Sequence, residues 1–131
     1  MHELSLAHSV CEIAVGALRE QCGAAGEVDG APLVVGKVRV RVGDLSGVDP
    51  EALAFCFEVV RGEWVETAGS ALEVQRCPVR VRCLACGRES EMAQDAPWDD
   101  ARCGSCGEER REVTGGRELE VFGVELVGGA A

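Results

Sequence analysis

The sequence CLACG at residues 83–87 is followed by CGSCG at residues 103–107, with sixteen residues between the two cysteine pairs. Each pair places two thiolates on one tight turn, and the following Gly permits the left-handed backbone that such a turn needs. Four thiolates around one ion at about 2.3 Å form a closed structural zinc site with no position left for a substrate. The spacing therefore predicts a zinc site with these ligands: Cys83, Cys86, Cys103 and Cys106.

Disulfides and a redox site are the two alternatives to a zinc site for these cysteines. Disulfides would require an oxidising compartment, but His2 and Glu3 stand where a secretory signal carries basic residues, and Glu12 interrupts the apolar stretch. We therefore expect a cytoplasmic protein. A thioredoxin-like redox site would need a strand before and a helix after the pair, and the pattern predicts neither. Cys77, six positions before Cys83, is a weaker competitor as a ligand.

The residues before the cysteine region have the patterns of two helices. Helical spacing predicts a first helix over residues 4–22, with this apolar face: Leu6, Val10, Ile13, Ala14 and Ala17. Asp49 followed by Pro50 predicts the start of a second helix, because Asp caps a helix and Pro suits its first position. We expect that helix to run to about residue 68, with this apolar face: Leu53, Phe57, Val60 and Trp64.

Strand patterns occur on both sides of the cysteine region. Val38, Val40 and Val42 alternate with basic residues, which predicts a half-buried strand, and a second strand is expected around residues 72–74. Residues 119–126 alternate again, with a frame slip at residues 122–123 that predicts a bulge. The predicted fold class is α+β. A small sheet with two helices forms a discontinuous domain (1–76 and 117–131), interrupted by an inserted zinc-ribbon-like module over 77–116, the cysteine module.

The net charge of −10 excludes some classes of partner. Nucleic acid and anionic membrane surfaces would be repelled. A zinc ribbon that binds nucleic acid is disfavoured further, because the arginines of the cysteine module are interleaved with glutamates. No segment approaches the roughly 18 apolar residues needed to span a bilayer. We expect neither nucleic acid nor a membrane as a partner.

The first three residues, Met1, His2 and Glu3, contain several metal donors close together. An α-amino group, the next amide nitrogen and a His side chain at position two can form fused chelate rings, and nitrogen donors suit Ni(II) and Cu(II). The alternative is a solvated terminus, which is the usual state of a His so close to a chain end. The residues alone favour that alternative.

Three further stretches decide between these interpretations: MHELSLA at 1–7, VGDLSGVDPEAL at 42–53 and FCFE at 55–58. With the two cysteine pairs, they give the chain a resemblance over essentially its whole length to hydrogenase nickel-incorporation proteins of the HypA/HybF family. The resemblance implies a nickel site formed by the Met1 amine, His2 and Glu3, with the carboxylate of Asp49 nearby. The helix-cap role of Asp49 stands beside that one, and Asp44 is a weaker competitor.

The same resemblance implies a function. The chain would be a nickel metallochaperone and not an enzyme, with no catalytic residues, Zn(II) as a structural ion and Ni(II) as transient cargo. Its implied partners are a nickel-binding GTPase, HypB, and the large subunit of a [NiFe] hydrogenase, and a homodimer is an open alternative. The sequence DAPWDD at 95–100 makes the gap between the cysteine pairs longer than the family pattern, which puts any partner surface on that loop in doubt.

Overall fold

The chain forms two small sheets in a computed structural model, which describes residues 3–22, 27–28, 31–92 and 102–128. The helices are α1 (Glu3–Cys22) and α2 (Pro50–Val60), and α2 continues into a 3₁₀ turn (Arg61–Glu63). The strands are β1 (Glu27–Val28), β2 (Ala31–Gly43), β3 (Ala71–Cys77), β4 (Arg80–Cys83), β5 (Glu89–Glu91), β6 (Arg111–Gly115) and β7 (Leu119–Gly128). Neither described helix is long and apolar enough to cross a membrane.

The large sheet is built around β2. Strand β3 pairs with it in parallel, from Lys37 opposite Ala71 to Gly43 opposite Cys77, and α2 belongs to the crossover that a parallel pair requires. Strand β7 pairs with β2 in antiparallel fashion, so the predicted return of the last strand to the first sheet is confirmed. The predicted bulge is also confirmed, because Arg39 and Val40 pair with Gly123 and Val121 and skip Phe122.

Both helices cover one face of the large sheet. Val38, Val40 and Val42 of β2 are buried beneath them, as their alternation predicts. Helix α2 contributes Leu53, Phe57 and Val60 to the same core, and Trp64 packs against it. The helices pack on this face because β2 presents a row of Val side chains and Leu33 there.

The prediction for the buried face of α1 is partly wrong. Ile13 is 52 % exposed, whereas Ala7, Cys11 and Leu18 are buried with Val10 and Ala14. The buried face of α1 is therefore rotated about the helix axis from the face that its largest aliphatic side chains predict. The small side chains of Ala7 and Cys11 let the helix axis approach its neighbours closely, and this packing outweighs burial of one isoleucine.

The predicted end of α2 near residue 68 is also wrong. The helix ends at Val60, and the chain becomes extended at Trp64 after the 3₁₀ turn. Buried hydroxyls satisfy the backbone groups that this early end exposes: Thr67 Oγ1 donates to the Arg61 carbonyl at 2.7 Å, and Ser70 Oγ donates to the Thr67 carbonyl at 2.6 Å. Burial of polar groups is tolerated when each finds such a partner.

The other face of the large sheet is covered by ion pairs. Arg39 bridges Glu73 of β3 and Glu125 of β7, at 2.7 and 3.3 Å. Arg41 pairs with Glu120 at 3.0 Å and lies 4.0 Å over the ring of Phe122. This face is therefore locally neutral and suited to solvent, which explains why one layer of helices completes the fold.

The cysteine sheet has the order β5-β4-β6, with all pairs antiparallel. Its own core is small: Val79, Val81 and Met92 are buried, and Val113 and Leu45 pack against them. Leu45 comes from the loop after β2, so the larger part of the protein supplies one of the apolar contacts of the smaller. The sequence patterns did not predict that contact.

Candidate metal centre

Two turns of nearly identical geometry hold the cysteine pairs. In the first, the Gly87 amide donates to the Cys83 carbonyl at 3.0 Å, and in the second the Gly107 amide donates to the Cys103 carbonyl at 2.8 Å. Both glycines have φ near +77°, a backbone that residues with a Cβ rarely adopt. The predicted left-handed glycine behind each pair is therefore confirmed.

The four sulfur atoms meet between these turns. The ligand atoms of Cys83, Cys86, Cys103 and Cys106 all lie within 4.8 Å of one another. The Sγ atoms of Cys83 and Cys106 are 3.5 Å apart, as are those of Cys86 and Cys103. A tetrahedron with metal–sulfur bonds of about 2.3 Å has edges of about 3.8 Å, so the cluster has the dimensions of a four-thiolate metal site such as zinc requires.

The electrostatics of the cluster favour a cation. Backbone amides of Cys106 and Ser105 hold the pKa of Cys103 at about 6, and amides of Cys86 and Ala85 lower the pKa of Cys83. The Glu108 amide lowers the pKa of Cys106, but the neighbouring cysteines, led by Cys83, outweigh it and raise the pKa to about 12. Four thiolates therefore do not coexist at neutral pH without a cation, and a metal must displace protons on binding.

Contacts around the cluster tie the two turns together. Arg88 Nη1 donates to Ser105 Oγ at 2.6 Å, which joins the first turn to the second. The Leu84 amide donates to the Arg110 carbonyl at 3.1 Å, which joins the first turn to the chain that leads into β6. Sequence spacing alone did not predict these contacts.

The remaining cysteines whose side chains the structure describes lie apart from this cluster. Cys77, the weaker competitor, is not in the group of four sulfurs. Cys11 is fully buried in the large core, where burial raises the pKa of its thiol. Cys56 is half-buried and packs against the same core. The side chain of Cys22 lies outside the described residues.

The predicted nickel site is described only in part. Met1 and His2 lie outside the described residues, as does the loop at 95–100. Glu3 and Asp49 are brought together, since the Asp49 amide donates to Glu3 Oε1 at 3.4 Å. Each stands at the start of a helix, so the two helix N-termini converge where the chain begins.

The Asp49 side chain is a helix cap. Its Oδ1 accepts from the amides of Glu51 and Ala52, at 2.9 and 3.5 Å. The competing carboxylate, Asp44, is paired with Arg76 at 2.9 Å and mostly buried, which makes it a poor candidate for a ligand. His8, which the family pattern does not include, lies 2.7 Å from Glu12.

Comparisons with known proteins agree with this geometry. Residues 1–126 match the profile of the HypA family, described as hydrogenase/urease nickel incorporation, metallochaperone. The hydrogenase maturation factor HypA of Chlorobaculum tepidum is 39 % identical over 122 residues, which cover 92 % of this chain and 95 % of that protein. That of Albidiferax ferrireducens is 35 % identical over 126 residues, 96 % of this chain and 99 % of that protein.

Two solved structures share the fold. The solution structure of the Ni metallochaperone HypA from Helicobacter pylori has a TM-score of 0.59 at 20 % identity and covers 98 % of this chain and 100 % of its own. A further solution structure of a HypA protein has a TM-score of 0.65 at 20 % identity and covers 97 % of each chain.

Proposed function

Because this chain belongs to the HypA family of nickel-incorporation metallochaperones, which are not enzymes, we propose that it binds Ni(II) at its N-terminus and delivers the ion for maturation of [NiFe] hydrogenase. In the same proposal, Zn(II) is a structural ion held by the four cysteines. The observation that carries the zinc assignment is the meeting of four sulfurs within 4.8 Å. The nickel assignment is supported by the position of Glu3 against Asp49 at the start of the chain.

The two proposed metal sites differ in whether they leave a path for the ion to be released, as a chaperone requires. The cysteine site is closed by four protein ligands, so its ion has no open position and serves to fold the module. The proposed nickel donors are the Met1 amine, the His2 amide and imidazole, and the carboxylate of Glu3. Few donors at a chain terminus leave a path for the ion to pass to a partner.

Extending the chain by Gly-Ser before Met1 tests the terminal site. The extension turns the Met1 amine into a peptide nitrogen and leaves every side chain unchanged. We expect nickel binding, measured by isothermal titration calorimetry, to fall as far as it does in His2→Ala. The matched control is His8→Ala, which removes the only other histidine and should bind nickel as the native chain does. An extended chain with native nickel affinity would exclude the amine as a ligand.

Nickel affinity should also depend on pH. The proposed amine and imidazole donors have reference pKa values of about 7.7–8.0 and 6.5, and both must lose a proton to bind. Protons therefore compete more strongly as the pH falls, so affinity should drop from about pH 8 to about pH 6. Calorimetry across that range in several buffers would also count the protons released. A flat profile would indicate carboxylate ligands instead.

Two substitutions separate the two roles of Asp49. Asp49→Asn keeps an oxygen that accepts from the Glu51 amide but removes the charge, so the cap should survive. Asp49→Ala removes both and should cost about 1 kcal/mol of stability. If the carboxylate assists nickel, both variants lose nickel affinity, whereas only the alanine variant loses thermal stability. Native nickel affinity in Asp49→Asn would restrict Asp49 to the cap.

The finer organisation is part of the proposal. Residues 1–76 and 117–131 would form the nickel-binding domain and residues 77–116 the zinc module, supported by the separate strand pairing of the two sheets. The partners would be the GTPase HypB and the hydrogenase large subunit, in the cytoplasm, with a homodimer as an alternative to the monomer. Size-exclusion chromatography with light scattering, with and without each partner, tests the partners and the oligomeric state.

A further inference from the structure

The face of α1 and α2 turned away from the sheet carries apolar side chains that nothing in the described part of the chain covers. Leu4 is 51 % exposed, Val59 is 60 % exposed and Phe55 is 71 % exposed. Phe55 and Val59 are four residues apart, so they lie on one side of α2. Exposed apolar groups that lie together, unlike scattered ones, mark a binding surface.

A groove of about 750 Å³ lies between the two helices at this place. Leu4 and His8 line it from α1, and Val59 lines it from α2. At its far end, Glu63 Oε2 lies 3.9 Å from His8 Nε2, and the His8 ring lies 4.9 Å from that of Trp64. The groove therefore combines the apolar side chains with two serines, an imidazole and the Glu63 carboxylate, and it is open to solvent.

The charge around the groove is mostly negative, with Arg61 of the 3₁₀ turn as a cation that donates to the Ser70 carbonyl at 2.6 Å. Helices α1 and α2 together carry five glutamates and one arginine, and that arginine, Arg19, is paired with Glu66 outside α1. Glu51 and Glu58 flank Phe55, and neither has an ion-pair partner among the described residues. The opposite face of the molecule differs, because Arg39 and Arg41 each have a glutamate partner on a neighbouring strand.

We propose that this groove docks a basic amphipathic helix of a partner protein. Apolar side chains at helical spacing would enter the groove beside Leu4 and Val59, and Lys or Arg side chains would meet Glu58, Glu63 and Glu12. A second copy of this chain would bring like charges together on a symmetric interface, so the charges disfavour self-association here. Because Leu4 follows Glu3 directly, the docked helix would lie beside the proposed nickel site.

Three labelled peptides of about 18 residues test the proposal against the zinc-loaded full chain by fluorescence anisotropy. The first has Leu on one helical face and Lys on the other. The second replaces each Lys with Glu, and the third replaces each Leu with Ser. We expect binding of the first peptide alone, weakened as salt rises from about 50 to about 500 mM. Equal binding of the Glu peptide or of the Ser peptide would overturn the proposal.

Substitutions locate the binding. The double variant Phe55→Ser, Val59→Ser should weaken binding of the first peptide by about tenfold or more, because Val59 lines the groove and Phe55 is exposed one helical turn away. Both side chains are exposed, so the variant should fold. Val127→Ser changes an exposed apolar residue on β7 and should leave the affinity within about twofold. Equal effects of the two variants, or none, would contradict the docking site.

A charge-reversal variant and a measurement of the oligomeric state provide two further tests of the docking proposal. Glu58→Lys should weaken binding of the Lys peptide and should not change nickel affinity. The docking proposal and the nickel proposal are therefore tested independently of each other. A native chain that is dimeric by light scattering and becomes monomeric in Phe55→Ser, Val59→Ser would show a second copy on this face and overturn the proposal.

Discussion

Among the described residues, the helix-covered face of the large sheet buries thirteen side chains in one cluster, whereas the core of the cysteine sheet buries three, Val79, Val81 and Met92. Each fully buried aliphatic side chain contributes about 1.5–3 kcal/mol, and each ordered residue costs about 1–2 kcal/mol of backbone entropy. Three apolar groups therefore do not order the cysteine module. The comparison shows that apolar burial holds one part of the chain, whereas the other part needs a further source of stability, which the metal proposed at the four cysteines would supply.

Removal of one cysteine ligand should produce the largest effect. Cys83→Ser or Cys106→Ser should lose the ion and unfold the cysteine module, because structural zinc supplies about 10–16 kcal/mol in comparable small sites. The large sheet should keep its amide resonances, since its core contains no ligand. Metal content by mass spectrometry and a two-dimensional NMR spectrum measure both parts.

The control for that experiment is Cys77→Ser, which lies outside the group of four sulfurs and should retain one zinc per chain. A Cys83→Ser protein that keeps a full equivalent of zinc would refute the four-thiolate assignment. Iron in place of zinc would be recognised by the visible absorption of iron–thiolate bonds, and it would change the ion but not the ligands.

Truncation of the large core is the converse experiment. Phe57→Ala removes a fully buried ring and should lower the free energy of unfolding by about 3–5 kcal/mol. Phe55→Ala, two residues away and exposed, should change it by no more than about 0.5 kcal/mol. Urea titrations monitored by far-ultraviolet circular dichroism give both values. Similar losses in the two variants would mean that α2 does not pack on the sheet as described.

The junction between the two parts should be sensitive to a single methyl group. A Cβ at Gly43 would overlap the Gly116 carbonyl, where one chain segment leaves the large sheet and another returns to it. Gly43→Ala should therefore cost about 1–3 kcal/mol, since backbone must move to make room. At Gly62 a Cβ would meet nothing within 4 Å, so Gly62→Ala is the control and should not lose stability. Thermal unfolding of both variants measures the difference.

The smallest effect is expected on the ion-paired face. Arg39→Gln removes the bridge to Glu73 and Glu125, which is partly exposed, and should cost about 0.2–1 kcal/mol. The cost should shrink as salt rises, because exposed ion pairs are screened. Urea titrations at about 0.05 and about 0.5 M salt measure it. A loss as large as that of Phe57→Ala would show that the sheet depends on this face more than burial implies.

Much of this architecture could be predicted because it depends on residues close in sequence. The cysteine spacing, the glycine behind each pair, the Asp49 cap and the slip at residues 122–123 each depend on a few neighbouring residues. The same holds for the alternation of β2, because side chains in a strand point to opposite faces in turn. Local geometry sets these features before the rest of the chain is considered.

Contacts between distant segments could not be predicted in this way. The buried face of α1 was predicted from its large side chains, but packing against the sheet selected the face with Ala7 and Cys11 instead. The predicted end of α2 lies too far along the chain, because the actual end depends on Thr67 and Ser70, whose buried hydroxyls accommodate an early turn. In both cases the deciding partner lies outside the element.

The sequence by itself determined the family, the four cysteines that cluster, and the order of α1, β2, α2, β3 and β7. Tertiary structure alone decided that Leu45 joins the core of the cysteine sheet, that Arg39 bridges Glu73 and Glu125, and that the Asp49 amide meets Glu3. The contacts of Arg39 and of the Asp49 amide join residues that are 34 to 86 positions apart in the sequence. Spacing rules extend over one turn of helix or a few strand residues, so they do not reach contacts that only the folded sheet creates.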